Sequence, residues 1–353
     1  MREVPRRPPR RPRQARAGSG RRKRRPGRRS NVAGRMPLPT HIGEFRFPIG
    51  QENAGRRLDV FLSHKFRRSR TSLTERLGGC VFDGEGRPLR WSYRLRSGDV
   101  VVVHSEVRPE PEVEVRYRLL YQDHILVAVD KGPGAPVHPV RGFRTRTVLT
   151  RLRAELSRPG LQLAHRLDRE TSGVLLFAEG TEALRALMDA FAERRVKKQY
   201  LAVVRGNPAW ERLRVEAPLA LDRSFPILCR MKVDMERGQK AVTDIEVLAR
   251  RSDRALVRAI PLTGRQHQIR LHLAHAGHPV LGDKLYQEDG RPYLAMIRDR
   301  LAEADRTRLG HVRQALHASR LELDHPATGE RLVLEAPLPG DLAALLDEPT
   351  HSR

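Results

Sequence analysis

Ala164-His165-Arg166-Leu167-Asp168-Arg169-Glu170-Thr171-Ser172-Gly173-Val174-Leu175-Leu176-Phe177-Ala178 is a knot of charge that runs straight into five apolar residues. The apolar run is short and bounded by Gly173 and by Glu179-Gly180, which reads as a buried strand. A buried strand pins whatever precedes it, so Arg166 and Asp168 are expected at a rigid sheet end, where a reactive group can be held in place. The plainer reading is a surface loop whose Arg and Asp pair with each other, contributing about 0–1 kcal/mol. Against it stand the cations on either side of the carboxylate (Arg166, Arg169) and a second cationic block downstream. Nearby positive charge favours the ionised carboxylate. An ionised, positioned Asp serves as a nucleophile or a base rather than as an acid.

Working outward, Lys197-Lys198-Gln199-Tyr200-Leu201-Ala202-Val203-Val204-Arg205-Gly206 sets an aromatic beside a basic run, with a strand beginning at Tyr200. Tyr in a strand is ordinarily packing, but an aromatic beside cations is also how a protein stacks an exposed base, worth about 1–3 kcal/mol per base. A third block runs from Pro261 through Thr263-Gly264-Arg265-Gln266-His267-Gln268-Ile269-Arg270 to Gly282-Asp283. Thr263 suits the cap of a helix reaching about Ala276, ended by Gly277. His267, His272, His275 and His278 lack the spacing of a helical zinc site and have no acid among them, so a metal is not expected. Arg265 and Arg270 suit phosphate binding or the partnering of a carboxylate.

The three blocks together resemble those of the pseudouridine synthases of the RluA type. The resemblance spans about residues 55–345. It implies an α+β catalytic domain on a mixed, largely antiparallel sheet, acting without cofactor or metal on RNA, with Asp168 catalytic, Tyr200 against the target uracil and Arg270 paired to Asp168. His165 to Gly173 match the family's catalytic motif. One departure stands in the first loop, where Gly132 separates Lys131 from Pro133. Implied too is a uridine swung out of its stack, at a cost of a few kcal/mol, with Arg166 filling the space it leaves. Arg265 and His267 are the remaining RNA-binding candidates in this domain.

Ahead of this lies a smaller unit, residues 45–105. Leu58, Phe61 and Leu62 share one helical face, Ser69 suits the cap of a second helix ended by Gly78-Gly79, and strands follow at Cys80–Phe82 and Val100–Val103. The order resembles an S-four-like RNA-binding domain, which would turn Arg56, Arg57, Lys65, Arg67, Arg68 and Arg70 to phosphates. Residues 106–114, with Pro109 and Pro111 among acids, read as a linker to a catalytic domain over 115–345, and 346–353 as a tail. Within that domain Ile125–Val129 should be a strand turning at Asp130-Lys131-Gly132-Pro133-Gly134. Thr147–Leu156 should be a helix, and so should Thr181–Arg194, with Leu184, Leu187, Met188 and Phe191 inward. Residues 284–310 read as a charged helical insertion, and the chain closes with strands at Leu321–Leu323 and Leu332–Ala336.

The 353 residues suffice for two domains, and 68 Lys and Arg against 42 Asp and Glu leave a net charge of +26. Such an excess calls for a polyanion, nucleic acid first. Residues 1–35 hold fourteen Arg, one Lys and one acid, hence +14, leaving +12 for the remainder. Residues 1–40 are Arg-, Pro- and Gly-rich and expected disordered, either as a phosphate-attracting tail or as a stretch ahead of a start at Met36. Two cysteines, Cys80 and Cys229, form no paired motif, which suits a reducing compartment. No run reaches membrane-span length and no secretory signal precedes the domains, so a cytoplasmic monomer acting on ribosomal RNA, or on transfer RNA, is the expectation. Two other classes stay open. One is an RNA-binding protein that does not catalyse; the other is a nucleoside glycosidase, which would need a second carboxylate besides Asp168.

Overall fold

In the computed structural model of the chain, the apolar run behind Asp168 is a strand, Ser172–Glu179, buried at every residue but its last. Residues 41–347 are described, apart from 67–68, 108–109, 141 and 228. The basic segment 1–40, Arg67, Arg68 and the last six residues of the tail lie outside them. The chain divides into two compact units between Glu106 and Val107.

The first unit holds β1 (His41–Pro48), α1 (Leu58–Phe66), α2 (Arg70–Leu77), β2 (Val81–Phe82) and β3 (Val100–Val107), with strand order β1-β3-β2. Leu58, Phe61 and Leu62 pack with Leu73, Leu95 and Val101 into its core. Each such side chain contributes about 1.5–3 kcal/mol by leaving water. Ser69 caps α2 by accepting the N–H of Ser72 at 3.3 Å.

The second unit opens with β4 (Tyr117–Gln122), β5 (Leu126–Lys131), α3 (Val148–Glu155), β6 (Leu161–Leu163), β7 (Ser172–Glu179) and α4 (Thr181–Ala192). It continues through β8 (Lys197–Arg205), β9 (Arg212–Glu216), β10 (Leu219–Leu221), β11 (Met231–Val233), β12 (Val242–Arg250), β13 (Arg254–Pro261) and α5 (Gln268–His275). It ends with α6 (Arg291–Ile297), α7 (Glu303–Leu309), β14 (Leu316–Asp324), β15 (Arg331–Glu335) and α8 (Gly340–Ala343). The main sheet runs β4-β5-β7-β14-β8-β13-β12-β9, with β15 on β14 and β6 on β7. Its one parallel pairing among the described strands is β7 with β14; the others are antiparallel. The mixed, largely antiparallel sheet expected from the resemblance is therefore present.

One row of register positions the chemistry. Lys131 stands opposite Gly173, Gly173 opposite Ala318, Ala318 opposite Tyr200, and Tyr200 opposite Ala259. Gly173 is required there, because its φ is +108° and a Cβ would lie 2.2 Å from the carbonyl oxygen of Ala318.

Several local expectations are corrected. β5 continues through Lys131, so the turn begins only at Gly132, and β8 begins at Lys197 rather than Tyr200. Met188 is 55% exposed, because the inner face of α4 is centred on Ala183, Leu187 and Ala190 and leaves Met188 at its margin. Thr263 does not cap a helix. Its hydroxyl donates to Gln268 Oε1 at 2.6 Å and accepts the N–H of Val242 at 3.0 Å, and α5 starts only at Gln268. Glu110, inside the expected linker, is held against the second unit, where its carboxylate accepts the backbone N–H groups of Arg144, Thr145 and Arg146. Finally, 284–310 is not a peripheral insertion throughout, since Lys284, Leu285, Tyr286 and Gln287 are buried.

Candidate active site

The loop that carries Asp168 joins β6 to β7 and is tied down by its own backbone. Lys131, fully buried, donates from Nζ to the carbonyl oxygens of Gly132 (2.8 Å), Arg169 (2.9 Å) and Thr171 (2.9 Å). Burial lowers the ammonium to about 7, helped by the charges of Arg313 and Arg169 and opposed by Asp168 and Glu170. Glu170 is not a free second acid. Lys284 reaches both of its oxygens at 3.0 Å and the N–H of Gln314 reaches one at 3.1 Å. Gln314 Nε2 also donates to Thr171 Oγ1 at 2.5 Å. A glycosidase pair of Asp168 and Glu170 would need the second carboxylate unencumbered, and here it is a structural ion.

Against this loop α5 presents Arg270. Its Nη1 donates to Asp168 Oδ2 at 2.7 Å, while Nε and Nη2 fork onto Asp283 at 2.6 and 2.8 Å. Asp283 has no exposed surface and accepts two further N–H groups, from Leu285 and Tyr286. The guanidinium lies 5.1 Å from the ring centre of Tyr286, a cation–π contact. Fixed on two sides, Arg270 turns its Nη1 edge to Asp168. Gly282 makes the approach of Asp283 possible, since its φ is +73° and a Cβ would fall 1.8 Å from the carbonyl oxygen of Arg313.

Burial alone would raise the Asp168 carboxyl. The charge of Arg270, that of His267 once protonated in the acid range where the carboxyl titrates, the Arg270 hydrogen bond and Arg166 together outweigh it, so the group stays below the usual carboxylate range and is ionised at neutral pH. Asp283 is held low in the same way, against a still larger burial, chiefly by Arg270. His267 stands at the head of α5 in the left-handed region, φ +56°, with Nε2 3.8 Å from Asp168 Oδ1 and Nδ1 2.9 Å from the Tyr286 hydroxyl. Its burial first, and the Arg270 charge second, lower it to about 4, so the ring is neutral. Tyr200 is raised well above its ordinary value by burial and by the Asp168 charge, so its hydroxyl keeps its proton.

Asp168, Tyr200, Arg270, Arg166, Arg265 and His267 all line one cavity of about 1040 Å³. Arg166 and Arg265 are exposed at it, with Arg194, Lys197, Lys198 and Arg320 adding positive charge to the lining. Phe191, also lining it, has Lys198 Nζ 6.0 Å from its ring centre. Arg57 and Arg70 belong to the first unit and do not line this cavity; both face Asp59, Arg57 with two bonds of 3.1 Å and Arg70 at 3.7 Å. Among the described residues no three His, Cys, Asp or Glu side chains gather as metal ligands. His272 is spent on Thr243 and on the carbonyl of Ala217.

Asp283, Tyr286, Lys131 and Lys284 are the site residues that sequence reasoning passes over. Asp283 closes the third block, thirteen residues beyond Arg270, and only the turn at Gly282 folds it back. The other three are single polar residues in runs that read as a turn or an insertion.

The family profile described as RNA pseudouridylate synthase matches residues 125–275, which take in all three blocks down to His275. Ribosomal large subunit pseudouridine synthase C of Haemophilus ducreyi is 34% identical over 316 residues, covering 85% of this chain and 94% of the relative. The chain belongs to the RNA pseudouridylate synthase family. Ribosomal large subunit pseudouridine synthase D of Neisseria meningitidis is likewise similar, 34% identical over 84% of this chain and 79% of its own length. Among solved structures, Human RNA Pseudouridylate Synthase Domain Containing 1 superposes with a TM-score of 0.53 at 27% identity, covering 68% of this chain and 94% of that one. As a pseudouridine synthase of the RluA type the chain is an isomerase, and no helix among its described residues is long and apolar enough to cross a membrane.

Proposed function

We propose that this pseudouridine synthase converts specific uridines of structured ribosomal RNA to pseudouridine in the cytoplasm, with Asp168 acting on a base turned out of its stack. The observation that carries the reading is the 2.7 Å contact of Arg270 with Asp168 inside the cavity that Tyr200 also lines. The reaction breaks the bond from the sugar to a ring nitrogen and forms one to a ring carbon. The nitrogen gains a proton, the carbon gives one up, and nothing is oxidised. What it asks of the protein is an ionised carboxylate to serve as nucleophile or base, a surface to hold the freed ring, and charge to hold the RNA.

Asp168 supplies the first and Tyr200 the second. Arg166, exposed beside Asp168, fills the gap left in the stack, and Arg265 and His267 take the nucleotide's polar groups. In the first unit, which we read as S-four-like, Arg57 and Arg70 reach phosphates only by sharing their charge with Asp59, so Arg56 and Lys65 carry more of that contact. The names of the relatives favour ribosomal RNA over transfer RNA. Asp168→Ala, introduced in cells, is expected to erase pseudouridine at the sites that depend on the wild type, read by mapping pseudouridines in total RNA. Full modification at each of those sites would end the proposal. Tyr200→Phe keeps the ring, so RNA affinity is expected to hold; loss of binding would remove the stacking role.

A further inference from the structure

The hydrogen bonds behind His267 leave one arrangement of protons that wastes none. The backbone N–H of Met231, at the start of β11, donates to the hydroxyl oxygen of Tyr286 at 3.0 Å. That hydroxyl has a single proton to give, and Nδ1 of His267 lies 2.9 Å from it. Were Nδ1 the protonated nitrogen, the oxygen would accept twice and its own proton would stay unpaired in a residue only 8% exposed. A buried donor without an acceptor is costly. The proton of the imidazole therefore belongs on Nε2, the nitrogen 3.8 Å from Asp168 Oδ1.

We propose that Tyr286 is a positioning residue that fixes the His267 proton on Nε2, so that the carboxylate oxygen of Asp168 not taken by Arg270 meets a neutral N–H donor instead of an imidazole lone pair. The inference rests on the reading of Asp168 as the catalytic carboxylate. Two independent features agree with it. His267 is held at φ +56°, a backbone conformation that non-glycine residues seldom adopt and that gathers at functional sites. The ring is also neutral because burial lowers it to about 4, so the choice of tautomer matters at working pH. At 3.8 Å the N–H is beyond hydrogen-bond length, so it turns a dipole toward Oδ1 without adding a second full positive charge beside it. Asp168 thus keeps one oxygen bound and the other open to the nucleotide.

The test is nitrogen NMR of the full chain labelled at histidine, the His267 signals being assigned by their loss in His267→Gln. The expected wild-type pattern is a pyridine-like Nδ1 and a pyrrole-like Nε2 at neutral pH; the reverse pattern, or an imidazolium, overturns the proposal. In Tyr286→Phe the ring is kept, and the Nδ1–H form is expected to become detectable. Turnover at saturating RNA should fall on the order of tenfold, the scale of one lost hydrogen bond, with KM held. In a His267→Gln background the same change should cost nothing further, since the two act as one unit. Undisturbed tautomers in Tyr286→Phe, or full additivity, would reject the role. Asp168→Asn should abolish turnover yet leave the tautomer unchanged, so a wrong assignment of Asp168 and a wrong assignment of Tyr286 are told apart.

Discussion

Arg270 serves two carboxylates with one guanidinium, and the consequences can be worked out residue by residue. Removing it in Arg270→Gln leaves Asp283 charged and fully buried with no counter-ion, which is expected to destabilise the enzyme by about 3–5 kcal/mol, measured by urea unfolding. Asp168 and Asp283 both sit below the usual carboxylate range when folded. Their contribution to stability is therefore complete above that range and is lost as pH falls through the depressed folded values. In the variant burial acts unopposed by Arg270, so Asp168 titrates higher. The acid limb of kcat/KM against pH should move to higher pH, and an unmoved limb would mean that Arg270 does not set the ionisation. Asp168 was open to recognition in the sequence because its own neighbours are charged and a buried strand follows at once. Asp283 was not, because a carboxylate thirteen residues along from its partner gains meaning only when a glycine folds it back.

At the scale of elements, the site hangs on the start of β7, where strand, loop and parallel neighbour meet. Gly173→Ala would drive a methyl into the Ala318 carbonyl at a φ of +108°, and about 3 kcal/mol of lost stability is expected in denaturant unfolding. Ala at Gly180, whose Cβ would meet nothing within 4 Å, should cost less despite its own positive φ. Lys131, opposite Gly173, makes a sharper prediction. Its folded value of about 7 lies below the ordinary lysine value of 10.5, so the unfolded chain binds the extra proton between the two. Stability from this group rises with pH across that interval and is lost as pH falls through 7. Comparing urea unfolding of wild type and Lys131→Met from pH 6 to 10 should show that rise only in the wild type. Equal slopes would mean that Lys131 is not desolvated as its surroundings imply. The periodicity of β7 and of α4 was legible in apolar residues, but the row from Lys131 to Tyr200 was not. Register between strands distant in sequence is fixed by the parallel pairing of β7 with β14, and no local pattern encodes that pairing.

Over the whole molecule, the quantity that matters is how +26 is divided between catalysis and attraction. Residues 1–35 carry +14 of it, and the remaining +12 includes the cations that line the cavity at Arg166, Lys197, Lys198, Arg265 and Arg320. Each phosphate neutralised adds about 0.7–0.9 to the slope of log affinity against log salt concentration. If residues 1–35 meet the substrate's phosphates, a chain beginning at Met36 binds RNA with a distinctly shallower salt slope and a slower association at low salt. The cavity residues are all retained in that chain, so the rate of pseudouridine formation at saturating RNA should be unchanged. Parallel measurements of binding over a range of potassium chloride and of single-turnover rate decide it. A conserved slope would show that the segment does not touch RNA, and a collapsed turnover would show that it does more than attract. Arg265→Ala is the complementary case, expected to reduce the slope by about 1 at most while its larger effect falls on turnover, because it lines the same cavity as Asp168.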